Sequence, residues 1–463
     1  MSATVYRPEV LFAEGKLTRG GALCVTGEGK VQTRIPTGAR VVELPGTLLL
    51  PGFVNCHSHA FQRVIRSRTE ALAPGHQADD FWSWRESMYF AASTLSPEDL
   101  YVVSRQAFLE MARAGITTVG EFHYLHHQAD GTPYDDPSLL ALQVIRAARD
   151  VGLRIVLLRV GYARAGFQTT ENPRQRRFID ANVDAYLKRV DSLRMAIGED
   201  DLVTVGLAPH SVRAVPREWL AEIAKAAPLE LTHFHVAEQP AEVQACLNEP
   251  GLRPVELLEA CGLLHERATL VHAVHLTPGE ISTAGRRAVN VCACPSTERN
   301  LGDGVVLADA LAAAGASLCL GSDSQAQIDL LDEARQLEGH LRLLRLRRNV
   351  LDTGSGAPDN LGGRLLHFAT AGGARSLGLS AVTGTLAHNT DADFITVDLR
   401  HPSILGVPDE SLLAALAFSA TPEAIQDVAV QGKFIVTRRT HALETESARD
   451  FIGVMARLTA RSA

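Results

Sequence analysis

Eight short apolar runs, separated by stretches of helical periodicity, constrain this chain more than any other feature. They span residues 48–54, 116–122, 154–160, 202–208, 231–236, 269–273, 288–293 and 317–321. Short runs of this kind bounded by turn signals are consistent with buried strands. Strands alternating with helices build parallel βαβ units, and eight units predict a (β/α)8 barrel of the TIM type. An open, doubly wound sheet stays as the alternative, because a strand count does not prove closure. With 463 residues, 46% of them hydrophobic, the chain can fill one large barrel and an accessory domain.

Local signals place several other elements. Ser96 is an N-cap, with Pro97 at N1 and Asp99 at N3. Leu100, Val103, Ala107 and Met111 then share one helical face, and Gly115 ends it. A second long helix covers 328–348, with its arginines on a solvated face. The first fifty residues and the segment after Gly384 return to strand and turn chemistry. We therefore expect a small β-sandwich domain from residues 1–50 and 384–440, a barrel over 51–383, and a helical tail over 441–463.

A formal net charge of −8 and a pI near 6.1 argue against nucleic acid or an anionic membrane as partner. The N-terminus lacks a basic segment followed by an apolar one, and no apolar run is long enough for a bilayer. Seven scattered cysteines without a disulfide spacing fit a reducing cytoplasm.

Metal-competent residues gather at the C-terminal ends of the runs, the face on which such barrels carry their sites. His57 and His59 follow the first run and, two residues apart, project to one side, with Cys56 and Ser58 on the other. On its own this His-x-His is equally compatible with a surface pair. The fifth run adds His233, His235 and Glu238, the sixth His272, and the eighth Asp323. Three histidines and an aspartate form a nitrogen/oxygen shell with room for water. The spacing to Glu238 favours His235 over His233 as the third histidine. A divalent ion there would bring the pKa of a water toward neutrality, with Glu238 and His272 placed for acid–base work. The fourth run has no lysine to bridge two ions, so one ion is expected.

The ordered segments LPGFVNCHSHAFQR, HFHVAEQ, LVHAVH, CPSTERNLGDG and LGSDS resemble the amidohydrolase superfamily. The wider pattern is similar to the formimidoylglutamate deiminases within it, over roughly residues 50–337 and more loosely into the tail. The carrying segments are those around His57–Arg63, Phe81–Glu86, Glu121–His127, His210–Val215 and Ser296–Gly304. The resemblance implies one divalent ion, zinc foremost, held by His57, His59, His235 and Asp323. Glu238, His272 and Asp323 itself would assist catalysis. Gln62, Arg85, Tyr124, His210 and Arg213 would form the substrate shell. The implied reaction is hydrolytic deimination of N-formimino-L-glutamate in histidine degradation, so the implied partner is a small dicarboxylate. Arginine forks suit carboxylates independently of the resemblance. The chain is compatible with a homodimer, common among large barrels of this kind.

Two positions depart from the family pattern. Gln325 stands where some members have histidine, which bears on the site mouth, and Val212 replaces a frequent leucine. Plainer roles are assigned to the remaining groups. His233 is a core histidine, and His126, His127 and His275 are structural or exposed. Cys292 and Cys294 are apolar fillers. Trp82 and Trp84 anchor a loop or, less simply, cover the substrate, and Arg85 could serve in an ordinary ion pair. Asp303 belongs to a turn. Two other functions compete: a mononuclear deaminase of an aminated heterocycle, and a metal-free scaffold on the same barrel. The second predicts broken ligands, and all four are present.

Overall fold

The computed structural model describes residues 3–72, 80–169, 172–354 and 360–462. Met1, Ser2 and Ala463, part of the terminal segments read above, lie outside the described residues. Eight strands run in sequence order around a barrel: Phe53–Ser58, Ile116–His123, Arg154–Gly161, Val203–Pro209, Thr232–Val236, Ala268–His272, Asn290–Ala293 and Ser317–Leu320. Each pairs in parallel with the next. Beyond the eighth strand, Asp323 N–H donates to His57 O and His59 N–H donates to Asp323 O, both at 3.0 Å. These bonds bridge the eighth strand to the first, so the open-sheet alternative does not hold. They also join the two segments that carry His57, His59 and Asp323.

Seven of the runs become barrel strands within a few residues of their expected limits, but the first does not. The run 48–54 divides at Gly52. Residues up to Pro51 end the strand Arg40–Pro51 of a separate sheet, and the barrel strand starts at Phe53. A Cβ on Gly52 would lie 2.3 Å from Thr117 Cγ2, so a residue without a side chain makes the crossing between sheets. Leu48 and Leu50 pack with the barrel core while Leu49 packs into the other sheet's core. The apolar character is continuous because both destinations are buried.

The separate sheet draws nine strands from the two ends of the chain. Arg40–Pro51 lies between Thr4–Ala13, parallel to it, and Phe394–Asp398, antiparallel to it. Tyr6, Leu49, Phe394 and Ala429 belong to this sheet's core. At its junction with the barrel, Arg154 of the third barrel strand is buried against Asp391 and Asp393. Loss of Arg154 would leave buried Asp393 without its cation and Asp391 with Lys30 alone.

The helix Pro97–Arg113 has the expected capping box: Ser96 Oγ accepts from Asp99 N–H at 3.1 Å, and Asp99 Oδ2 accepts from Ser96 N–H at 3.2 Å. Gly115 follows at φ +84°. Leu330–Arg345 buries Leu330, Leu331, Ala334, Leu337 and Leu341, and pairs Arg342 with buried Glu338 at 2.7 Å and Arg345 with Asp309 at 2.9 Å. The helix Glu444–Ser462 lies on Pro97–Arg113 through Arg105, which pairs with Glu446 at 2.9 Å and Asp450 at 2.8 Å. Trp82 and Trp84 lie on a helix, Phe81–Thr94, and not in a loop. Asp80 and Ser83 form its capping box, a local signal that the aromatic content obscured. No helix among the described residues is long and apolar enough to cross a membrane.

Candidate active site

His57 is next to last in the first barrel strand and His59 follows its end, so their rings meet above the strand tips. His57 Nε2 lies 3.2 Å from His59 Nε2 and 3.1 Å from His235 Nε2. Asp323 Oδ1 lies 3.3 Å from His57 Nε2 and 3.1 Å from His59 Nε2. Tetrahedral bonds of about 2.0–2.1 Å to one ion put neighbouring donors about 3.3 Å apart, close to the spacing of these atoms. The donor chemistry fits as well. His59 Nδ1 faces Phe122 O at 2.9 Å and His235 Nδ1 faces His210 O at 3.2 Å, which holds the proton on Nδ1 and leaves Nε2 for a ligand. Burial pushes His57 down to about 3 and His235 well below its ordinary value, so both stay neutral, as ligation requires. Burial alone would raise Asp323, but its bonds to His57 and His59 hold it well below the usual carboxylate range. These four residues could hold one divalent ion. Val203–Pro209, the fourth strand, contains no lysine to bridge a second.

Beside the ligand cluster, His272 Nε2 is 3.7 Å from both Glu238 Oε1 and Asp323 Oδ2. His272 Nδ1 faces Glu298 Oε1 at 3.3 Å. Burial opposes a charge on His272, but Glu238, Glu298 and Asp323 together raise it to about 10. The backbone is in the left-handed region at Ala237, His272, Ala273 and Asp323, with φ between +44° and +70°. Non-glycine residues held this way in one place mark a functional site.

Glu238, His272, Asp323, His59, His235, Gln62, Arg85, Tyr124, His210 and Arg213 all line one cleft, with His57 against its floor. Gln62 Nε2 donates to Tyr124 Oη at 2.9 Å, while Gln62 Oε1 is buried with no partner among the described residues. His210 closes a wall with Tyr162 and Tyr124, and burial drives its ring well toward the neutral form. Arg213 is 6% exposed, and its Nε and Nη1 have no hydrogen-bond partner among the described residues. Its charge is held despite burial by Glu242, Tyr162 and Glu238. Arg85 donates to the Tyr89 hydroxyl and lies over the rings of Phe81, Trp82 and Tyr89, with no ion pair among the described residues. Trp84 lines the cleft, and the Trp82 ring lies 5.0 Å from Arg85 Cζ and 5.8 Å from Arg213 Cζ.

The plainer assignments divide. His233 faces Ser376 O at 3.0 Å in the core, and His126 and His127 are buried against backbone carbonyls. Cys292 and Cys294 are buried as expected, but Cys56 and Cys319 join them in a cluster that includes Val271. Burial pushes the Cys56 and Cys292 thiols well up, which keeps them as packing groups. Asp303 is more than a turn residue. It is 2% exposed, accepts from Gln239 Nε2, and burial next to Glu238 raises it to about 9. Gln325 does not reach the site mouth. It is fully buried behind the ligands, donating to Ser58 Oγ at 2.8 Å and accepting from Ser322 Oγ at 3.0 Å. Ser58 in turn donates to Glu121 Oε2 at 2.6 Å, so a polar belt fixes the ligand-bearing segments from outside.

Such groups could together support hydrolysis assisted by a divalent ion: four residues able to hold the ion, a carboxylate and a histidine beside them, and a cleft for a substrate. The amidohydrolase family matches residues 48–435, and the chain belongs to that family. It is a hydrolase acting on carbon–nitrogen bonds. It is 37% identical over 461 residues to the formimidoylglutamate deiminase of Pseudomonas aeruginosa, covering 99% of this chain and 100% of the relative. A 5-methylthioadenosine/S-adenosylhomocysteine deaminase of Pelotomaculum thermopropionicum is 28% identical, over 94% of this chain and 92% of its own. The crystal structure of an amidohydrolase from Brucella melitensis superposes with a TM-score of 0.90 at 32% identity, covering 98% of this chain and 100% of that one.

A direct consequence concerns metal content. Purified protein should carry about one divalent ion per chain, and Asp323→Ala should lose metal and turnover together. Elemental analysis decides it: a reproducible ratio near two, or an active enzyme without metal, contradicts the four-ligand shell.

Proposed function

We propose that the protein hydrolyses N-formimino-L-glutamate to N-formyl-L-glutamate and ammonia, a step of histidine degradation. The observation that carries this reading is Arg213, a buried guanidinium with two unpartnered nitrogens in the wall of the cleft. A buried cation with free donors calls for an anion, and a guanidinium fork matches a carboxylate. Arg85 supplies a second cation in the same cleft, so a dicarboxylate suits the pair.

His57, His59, His235 and Asp323 would hold the ion, and zinc suits a nitrogen-rich, four-donor set. When bound, it supplies a water acidic enough to attack near neutral pH. The protein's own groups do the rest. Glu238 takes a proton from the water as its oxygen bonds to the formimino carbon, which becomes tetrahedral. Glu238 then delivers that proton to the imino nitrogen, and the remaining proton of the added oxygen follows by the same carboxylate; the carbon–nitrogen bond breaks, ammonia departs and the formyl C=O is left. His272, between Glu238 and Asp323, steadies the attacking oxygen. Gln62 Oε1, an acceptor without a partner, suits an N–H of the substrate.

Deamination of a neutral heterocycle is the second reading, and the aromatic side chains of the cleft favour it. However, Phe81, Trp82 and Tyr89 lie against the two guanidiniums and do not form a free stacking face. Ammonia release from N-formimino-L-glutamate by metal-replete protein tests the choice.

A further inference from the structure

His272 has to point one ring nitrogen into a narrow place. Its Nε2 faces the gap between Glu238 and Asp323, at 3.7 Å from an oxygen of each. A ring flip, or a proton moved to the other nitrogen, would change what that gap is offered. Something must therefore fix the ring's orientation and hold a proton on Nδ1, and the strand does not do so by itself. His272 is the last residue of its strand and has φ +70°, followed by Ala273 at φ +52°.

Glu298 is the group behind the ring. Its Oε1 accepts from His272 Nδ1 at 3.3 Å and from the backbone N–H of Cys294 at 2.8 Å. The carboxylate is 2% exposed, does not line the cleft, and stands apart from His57, His59, His235 and Asp323, in a separate buried group with His272 and Cys294. It stands on the helix Pro295–Leu301, which is secured at both flanks. Ser296 N–H donates to Glu333 Oε2 at 2.8 Å on one side. On the other, Ser324 N–H donates to Thr297 Oγ1 at 3.2 Å, one residue beyond Asp323. The mount is thus tied to the segment carrying the aspartate that His272 faces.

We propose that Glu298 is the positioning residue of His272: it holds the proton on Nδ1 and aims Nε2 at the gap between Glu238 and Asp323. Glu298 does not touch the substrate. It acts through the imidazole, as a carboxylate behind a histidine does in other sites where the ring must be held in one orientation. The turnover arm of the test rests on the reaction proposed above; the spectroscopic arm does not.

The test uses the metal-replete full chain. Glu298→Gln keeps the shape and an oxygen for Cys294 N–H while removing the charge. Its kcat for ammonia release from N-formimino-L-glutamate should fall about 10- to 100-fold, with KM and metal content little changed. Added to His272→Asn, the same substitution should cost almost nothing more, because its effect runs through the ring that is already gone. Independently, ¹⁵N-histidine spectra of the wild type should show a slowly exchanging Nδ1–H for His272, assigned by its loss in His272→Asn. Wild-type kcat in Glu298→Gln, a further loss of similar size in the His272→Asn background, or a wild-type ring protonated only on Nε2 overturns the proposal. If the wild type does not hydrolyse N-formimino-L-glutamate at all, the substrate reading falls. The ring spectrum then still decides the role of Glu298.

Discussion

Glu238→Gln is expected to retain its metal and to lose about two to four orders of magnitude in kcat, the range a positioned acid–base group contributes. Glu238 follows the fifth strand and is 5% exposed on the wall of the cleft. Its carboxylate stands outside the cluster of His57, His59, His235 and Asp323. Its backbone N–H is held by Glu242 Oε2 at 3.3 Å, so the main chain should stay in place when the side chain becomes an amide. The amide keeps the volume and cannot carry a proton from water to the leaving nitrogen. His272→Asn should behave in the same way. Elemental analysis beside the ammonia assay separates the roles: metal and activity lost in parallel would make either residue a ligand.

Arg213→Met should lower kcat/KM for N-formimino-L-glutamate by roughly two to three orders of magnitude. Truncating one partner of a buried charge-assisted pair costs about 2–5 kcal/mol. Here the partner left behind would be a substrate carboxylate in a cleft where Arg213 is 6% exposed. Arg85→Met should cost less, because Arg85 already spends a donor on Tyr89 and much of its contact on aromatic rings. The aspartate analogue, with its distal carboxylate misplaced, should be a poor substrate of the parent enzyme. Steady-state kinetics with both variants checks this, and wild-type kcat/KM in Arg213→Met would remove the carboxylate clamp.

The sequence disclosed what depends on neighbours in the chain. Ser96, Pro97, Asp99 and Gly115 announce one helix within twenty residues, and its cap forms as read. Apolar runs ending in His, Glu or Asp announced the barrel and the residues gathered at its mouth. What depends on pairing between distant segments was hidden. The run 48–54 reads as one strand because each half is buried, and only the partners Phe394–Asp398 and Ile116–His123 divide it at Gly52. Asp303 follows Gly302 and looks like a turn, yet the fold carries it against Gln239. Gln325 and Glu298 sit inside motif-bearing segments, but their partners, Ser58 and His272, are 267 and 26 residues away. Asp80 and Ser83 are a local signal for the helix Phe81–Thr94, masked by the tryptophans beside them, whose bulk suits a loop anchor equally well.

The most direct measurement is kcat/KM for ammonia release from N-formimino-L-glutamate, set against a neutral aminated purine on the same metal-replete protein. The paired arginines predict that the dicarboxylate wins by at least about two orders of magnitude, with N-formyl-L-glutamate appearing in step with ammonia. Efficient deamination of the purine, with no ammonia from N-formimino-L-glutamate, would contradict the account.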